Sequence, residues 1–445
     1  MPTTETLAPA ALDLHQIRAQ FPALSQTINN HPATFLDGPG GTQVPQRVID
    51  AISNYLRRDN ANTGGAYATS RHTDAMLAEA RAAMADFLNC AADEIVFGPN
   101  MTTLTYAMSR AIGRDLGPGD EILVTRLDHD ANVSPWLALE EKGVTIRWAE
   151  IHEEDCTLNL DDLASKINPR TKLVAVGYAS NAVGTINPVK EIVRLAHAAG
   201  ALAYVDAVHY GPHGLIDVAD LDCDFLVCST YKFFGPHMGV LYGKREHLQR
   251  LHPYKVRPLT DSVPNRWEWG TLNHECIAGI TACVDYIADL GRYAMTHVGT
   301  AALGCPSSEA RPSISSPRRA AIVAAFEAIH AHEQGLMQRL IAGLNQIPNL
   351  KIYGITDPAR FNERCPTLAV RVINQTADQT PLALAAKLGE QGFFTWDGNY
   401  YALNLTERLD VEKSGGFLRI GLVHYNTAEE VDRLLAALTE IVKQS

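Results

Sequence analysis

Two residues of this 445-residue chain stand where chemistry would explain them, Asp206 and Lys232. In the stretch 203–244, AYVDAVHYGPHGLIDVADLDCDFLVCSTYKFFGPHMGVLYGK, Asp206 ends one apolar run and Lys232 follows a second, FLVCST at 225–230. Short apolar runs rich in β formers read as buried parallel strands. A third, GVLYG at 239–243, comes next, and Gly235, Pro236 and Gly239 punctuate the turn between them. A lone loop lysine is ordinarily solvated and calls for nothing more. Here, however, both residues would enter one crevice, because ligands of open α/β sheets sit beyond the carboxyl ends of the strands. An amine and a carboxylate converging there suit pyridoxal 5'-phosphate (PLP). The lysine would hold its aldehyde carbon, and the aspartate would keep the pyridine nitrogen protonated so that the ring accepts electrons.

VDAVHYGPHG followed by DCDFLVCSTYKFFGPHMGVLYG resembles the cofactor core of the class V aminotransferase family, and within it the cysteine desulfurases and selenocysteine lyases most. The likeness runs from FLDGPGGTQVP near residue 35 to FLRIGLVHYNT near residue 427. It implies an α/β enzyme of PLP-dependent transferase fold type I. That fold has a large domain on a mostly parallel seven-stranded sheet and a smaller C-terminal α/β domain, and it forms a homodimer. Lys232 would carry the cofactor and act as general base at the substrate's α-carbon, and Asp206 would face the ring nitrogen. His129, in EILVTRLDHDANVSPW, matches the histidine that stacks on the ring, while Asn181 and His209 face its phenolic oxygen. Asn100, Met101, Thr102 and Ser229 would surround the phosphate, and Gly270-Thr271 would reach the phosphate of the neighbouring subunit. Arg419, in FLRIGLV, matches the arginine that grips the α-carboxylate of an amino-acid substrate, a task suited to a bidentate guanidinium fork. Plainer readings stand beside these: Asn or Thr as a helix cap at 100–103, Asn181 as a turn residue before Gly184, Arg419 in a structural ion pair.

The departures from the family pattern are as informative. Asn100-Met101-Thr102 stands for Gly-Thr-Thr, Asp130 for a second histidine, His209 for glutamine and Tyr231 for histidine. In the desulfurases a loop before the arginine strand supplies a cysteine that attacks sulfur. The matching stretch, GFFTWDGNYYALNL, puts Tyr401 at that position and Trp396 where a second arginine stands, and no cysteine follows Cys365. A thiolate can accept sulfur as a persulfide and a phenol cannot. Trp396, Asp397, Asn399, Tyr400 and Tyr401 would instead shape the side-chain pocket, or pack as an ordinary loop tip. The expected activity is that of a desulfurase-like C–S β-lyase on an amino acid. An aminotransferase or epimerase of the class V family, or an inactive PLP-binding relative, is the alternative.

Alternating strand and helix patterns have to position these residues. Helices are expected at 12–22, 45–58, 74–89, 188–199 and 319–345, strand–turn–helix at 94–112, and a polar loop at 62–73 near the mouth of the site. The alternation through residue 244 argues for a mostly parallel sheet covered by helices. The expected organisation is an N-terminal segment at 1–30 packing with the small domain and a large domain at 31–290. A Pro/Ser/Gly-rich linker at 291–318 and a small domain at 319–445 complete it. With 46% hydrophobic and 20% charged residues the composition is that of a soluble globular enzyme. A net charge of −12 argues against nucleic-acid and anionic-membrane partners. The start of the chain lacks a basic then apolar leader, and no run approaches a transmembrane span. Eight cysteines without a C-x-x-C pair suit reduced, buried thiols in a cytoplasmic protein, and no metal site is expected.

Overall fold

The computed structural model describes residues 12–297 and 316–443, so most of the expected linker lies outside the described residues. The central sheet has seven strands: β1 (Ile95–Gly98), β2 (Glu121–Thr125), β3 (Thr145–Ala149), β4 (Thr171–Gly177), β5 (Leu202–Asp206), β6 (Phe225–Ser229) and β7 (Gly239–Gly243). Their order is β1-β7-β6-β5-β4-β2-β3. β7 runs antiparallel to both neighbours and every other pairing is parallel. Helices cover both faces, which is why these strands read as unbroken apolar runs rather than alternating ones. Val96, Ile122, Tyr204, Phe225 and Leu241 feed one core; Phe97, Leu123, Val205, Leu226 and Val240 feed the other. Asp206 pairs in register with Gly177 and Val227, so β5 ends flush with β4 and leads straight into the crevice.

The helices that matter for the site are α1 (Gln46–Arg58), α2 (Ala68–Leu88), α3 (Met101–Ile112), α4 (Val189–Ala198), α5 (His274–His297), α6 (Pro317–Leu344), α7 (Pro381–Glu390) and α8 (Ala428–Lys443). α6 joins two cores. Its first half buries Ile322, Ala325, Phe326 and Ile329 with the central sheet. Its second half buries Leu336, Met337, Leu340 and Leu344 against a smaller antiparallel sheet. That sheet has the order β8 (Leu350–Tyr353), β9 (Thr367–Val372), β11 (Phe417–Gly421), β10 (Trp396–Gly398). α5 and α6 touch backbone to backbone: a Cβ at Gly291 would fall 1.7 Å from the Ala321 carbonyl oxygen.

The N-terminal segment packs its apolar residues in the larger core and reaches the helices of the smaller sheet by polar contacts. Ile17 and Phe21 are buried with the larger one, where Phe21 meets the rings of Phe234, Tyr286 and Tyr425 edge-on. Arg18 donates to the Tyr425 carbonyl and pairs with Glu430 of α8. Thr34–Phe35 pairs in parallel with Phe393–Phe394. The first helix is shorter than expected, Leu14–Ala19, and α2 is longer, taking in the latter part of the expected 62–73 loop. The polar residues there read as loop, yet Ser70 and Thr73 are buried. Ser70 donates to the Asn62 carbonyl, and Thr73 bonds the Tyr55 hydroxyl.

One glycine sets where the start of α3 can lie. A Cβ at Gly239, the first residue of β7, would stand 2.4 Å from the Asn100 carbonyl carbon. Gly239→Ala must push the helix terminus off the sheet. The expected loss is about 1–3 kcal/mol, the usual effect of overpacking, read as a lower urea midpoint at unchanged slope. An unmoved midpoint would show that this contact does not hold the helix.

Candidate active site

Nine of the ten residues expected to bind the cofactor border one cavity beyond the carboxyl ends of β2, β4, β5 and β6. The exception is Thr271, which is exposed and is not brought to Lys232.

At the deep end, Asp206 accepts the Val208 N–H at 2.9 Å. Burial, reinforced by the nearby Asp128 carboxylate, pushes its carboxyl up to about 7. Asp128 is a residue the motif reading passed over, although it lies beside His129. It accepts from the Gly177 N–H, the Thr125 hydroxyl and the Asn132 amide, and burial pushes it up to about 6. Two buried carboxylates in one floor suit a protonated ring nitrogen. Lys232 follows β6 in a short 3-10 turn, Thr230–Lys232. It donates to the Pro39 carbonyl and lies 4.9 Å from the centre of the Tyr231 ring. Burial, ahead of the Arg419 guanidinium, pulls its amine down to about 7, while Asp206 and Asp37 oppose the shift. Asp37 is the second residue missed. It lies in the quoted FLDGPGG, its Oδ1 is buried without a partner, and burial pushes it up to about 6.

The other end of the cavity is the N-terminus of α3. The Met101 N–H donates to the Ser229 hydroxyl at 3.3 Å and the Thr103 N–H to Asn100 Oδ1 at 2.8 Å. The Thr102 N–H has no protein acceptor among the described residues. Free N–H groups at a helix N-terminus are a ready anion site, so the cap and the phosphate readings of this turn coexist. His129 accepts the Ala131 N–H on Nδ1, leaving its other nitrogen to carry the proton. Burial, with help from Lys232 and Arg419, draws it down to about 4, so it is a neutral ring at physiological pH and suited to stacking. Asn181 donates to the Tyr400 carbonyl at 2.8 Å, and its Oδ1 is buried without a partner. His209 Nε2 is likewise unpartnered, and burial holds this imidazole well below its ordinary range.

Arg419, on β11, is only 3% exposed. It donates to the Asn181 carbonyl at 2.9 Å and lies 4.0 Å from the Tyr400 ring centre. Its Nε has no partner, no carboxylate pairs with it among the described residues, and burial lowers it to about 10. A buried guanidinium without a counter-ion is costly unless a ligand supplies one. The loop at 396–401 contributes unevenly. Tyr401 is 70% exposed, stacks on His129 at 5.4 Å between ring centres, and accepts the Asp130 N–H on its carbonyl. Tyr400 is buried instead, with its hydroxyl donating to the Phe417 carbonyl. Asn399 turns away to Glu412 and Trp396 lies against Gly40; none of Trp396, Asn399, Tyr401 and Arg419 borders the cavity itself, and Tyr401 and Arg419 reach it only through His129 and Asn181. Tyr400 and Tyr401 both hold left-handed backbone, φ +55° and +61°, which fixes the direction in which Tyr401 projects.

Helix-end N–H groups, an acid pair, a lysine and a neutral stacking imidazole together fit PLP. Capture of an aldehyde needs an unprotonated amine. The rate at which apo protein takes up PLP should therefore rise as pH climbs through about 7 and then level, because that is where Lys232 loses its proton. A rate still climbing toward an ordinary lysine's ~10.4 would remove the buried amine from the site. Borohydride reduction and peptide mapping should place the label on Lys232.

The model of the family described as aminotransferase class-V matches residues 34–302 and 320–434. A cysteine desulfurase of Pectobacterium atrosepticum is 32% identical, over 96% of this chain and 98% of its own length. The aminotransferase-like protein FGM3 of Gibberella zeae is 30% identical, over 98% of this chain and all of its own. Among solved structures, the apo cysteine desulfurase of Thermococcus onnurineus NA1 superposes with a TM-score of 0.81 at 24% identity, covering 99% of this chain and 100% of that one. The cysteine desulfurase CsdA of Escherichia coli gives 0.80 at 24% identity, covering 98% and 100%. The structural likenesses speak for the fold, and the sequence matches for the family. The chain belongs to the class V aminotransferase family of PLP-dependent, fold-type I enzymes.

Proposed function

We propose that this enzyme is a PLP-dependent C–S β-lyase that breaks the bond between the β-carbon and sulfur of an amino acid and releases the sulfur as a free thiol or sulfide. The observation that carries the reading is the loop over His129. Tyr401 stands there, and among the described residues no cysteine borders the cavity. The seven cysteines among the described residues are free, and all but Cys276 are buried.

Bound PLP supplies the electron sink that acidifies the substrate's α-carbon. The chain's own residues do the rest. Arg419 offers its guanidinium to the α-carboxylate, which becomes the missing counter-ion. Lys232, whose amine burial draws down to about 7 and so leaves largely available as a base near neutral pH, would take the α-proton. Asp206 and Asp128 keep a proton at the floor of the cavity, and His129 packs the ring face. With the electron pair of the C–H bond left behind, the β-carbon–sulfur bond breaks and the thiolate leaves. The net reaction takes up one water and yields thiol, pyruvate and ammonium.

The homodimer and the cytoplasmic location belong to the same reading. Ile49 and Leu56 on one face of α1, and Tyr67 nearby in sequence, are exposed apolar residues that a second copy would cover. Thr271 is exposed as a residue reaching a neighbouring subunit would be. Sedimentation at the mass of a single chain would overturn the dimer. No described helix is long and apolar enough to cross a membrane, and the free thiols suit a reducing compartment. Recovery of the protein outside the cytoplasm on cell fractionation would contradict that placement.

The activity is tested with cysteine and with cysteine S-conjugates. Thiol or sulfide should appear with equimolar pyruvate, and intact-protein mass spectrometry should show no sulfur adduct during turnover. An adduct on a cysteine formed at the turnover rate would make the protein a persulfide carrier. A keto acid without loss of thiol would make it a transaminase. In the same assay Arg419→Lys should raise KM by roughly 10- to 100-fold, since a lysine cannot reproduce the bidentate grip, while PLP stays bound. Unchanged KM would take Arg419 out of the substrate site.

A further inference from the structure

His209 borders the cofactor cavity on one side and meets a second set of polar groups on the other. Its ring lies 5.4 Å from that of His213. His213, Cys365 and Glu333 line a separate cleft, where α6 passes from the larger core to the smaller. A ring nitrogen of His209, a ring nitrogen of His213 and the Cys365 sulfur all lie within 4.8 Å of one another, and all three residues are buried. We propose that these three side chains bind a zinc-class divalent cation.

The second observation is what the cluster lacks. His209 Nε2 and His213 Nε2 are both buried without a hydrogen-bond partner, and so is Glu333 Oε1. Two unpartnered imidazole nitrogens beside one buried thiol call for an occupant that accepts their lone pairs. Glu333 is buried, and its ion-pair partner among the described residues is His213, whose Nδ1 lies 2.8 Å from Glu333 Oε2, which leaves His213 Nε2 as the nitrogen open to a cation. A dication on the Nε2 side would take the imidazole lone pairs and hold Cys365 as the thiolate.

The donor set selects the metal class. Two imidazoles and one thiolate suit a borderline-soft ion and not magnesium or calcium, which want oxygen. A carboxylate on the far nitrogen of a ligating histidine is the usual device that orients the ring and fixes its tautomer, and Glu333 stands there. Tetrahedral zinc with Zn–N of about 2.0 Å and Zn–S of about 2.3 Å places its ligand atoms roughly 3.5 Å apart. Three protein ligands leave a fourth position for water. His209 would then be fixed beside the cofactor by the metal.

The test uses the PLP-loaded full-length protein, stripped with a chelator, reloaded with one equivalent of Zn2+ and desalted. Metal analysis should return one zinc per chain. Zinc X-ray absorption should show one sulfur scatterer near ~2.3 Å and nitrogen near ~2.0 Å. Cys365→Ser should lose the sulfur shell, and Glu333→Gln should weaken zinc retention against a competing chelator by about 10- to 100-fold. Zinc removed by desalting, or zinc bound with no sulfur neighbour in the unaltered protein, would overturn the site whether or not the variants fold. Zinc and sulfur retained undiminished in Cys365→Ser would also overturn it, by assigning the sulfur to another cysteine.

Discussion

The structure depends on how it keeps a lysine amine buried. Lys232 sits among groups that pull in opposite directions: the Arg419 guanidinium disfavours its charge, and Asp206 and Asp37 favour it. Desolvation exceeds the attraction, and a substantial share of the amine is unprotonated near neutral pH, where an ordinary lysine is almost wholly charged. The same burial raises Asp37, Asp128 and Asp206 and lowers Arg419 and His129. Each of these groups is displaced toward neutrality, the response of a charged site from which water is excluded. A ligand carrying a carboxylate, a phosphate and a protonatable ring nitrogen would reverse several of these shifts at once, and that pattern of unmet charge is a physical description of PLP with an amino acid.

Most of this frame was legible in the sequence because it is built from local signals. GVLYG and FLVCS are strands where apolar runs said they would be, and α1, α4 and α6 fall within a residue or two of expectation. Asp206 and Lys232 were found because a charge at the end of a buried run is conspicuous. Asp128 and Asp37 were passed over for a reason of the same kind. Each lies in a polar, glycine- or histidine-rich turn where an acid looks ordinary, and only the three-dimensional packing shows that water is excluded there. The His213–Glu333 contact spans two distant parts of the chain and had no local signature at all. The early start of α2 was missed because Ser70 and Thr73 bury their hydroxyls in bonds to distant backbone and to Tyr55, which propensity does not register.

The loop at 396–401 carries the Tyr401 ring to His129. Its backbone is pinned at several points. The Asp130 N–H holds the Tyr401 carbonyl, Asn399 bonds Glu412 and the Tyr401 N–H, and Tyr400 anchors its hydroxyl on Phe417. Asp130 thus contributes through its backbone to seating Tyr401 beside His129. The result is an aromatic face beside His129.

The pinning extends to the cofactor side. Asn181 belongs to the central-sheet half of the molecule, yet residues near or on the small sheet hold it at both ends. Arg419 takes its carbonyl, and the Tyr400 carbonyl takes its amide N–H. Its one unsatisfied atom, Oδ1, is left buried and unpartnered. In the proposed reading Arg419, offered to a substrate carboxylate, would also fix the asparagine offered to the cofactor. A carboxylate bound by Arg419 would draw on the same guanidinium that now holds the Asn181 carbonyl. Two hydrogen bonds thus cross between the sheets at this point, and the α6 helix is buried in both of the cores that those sheets build.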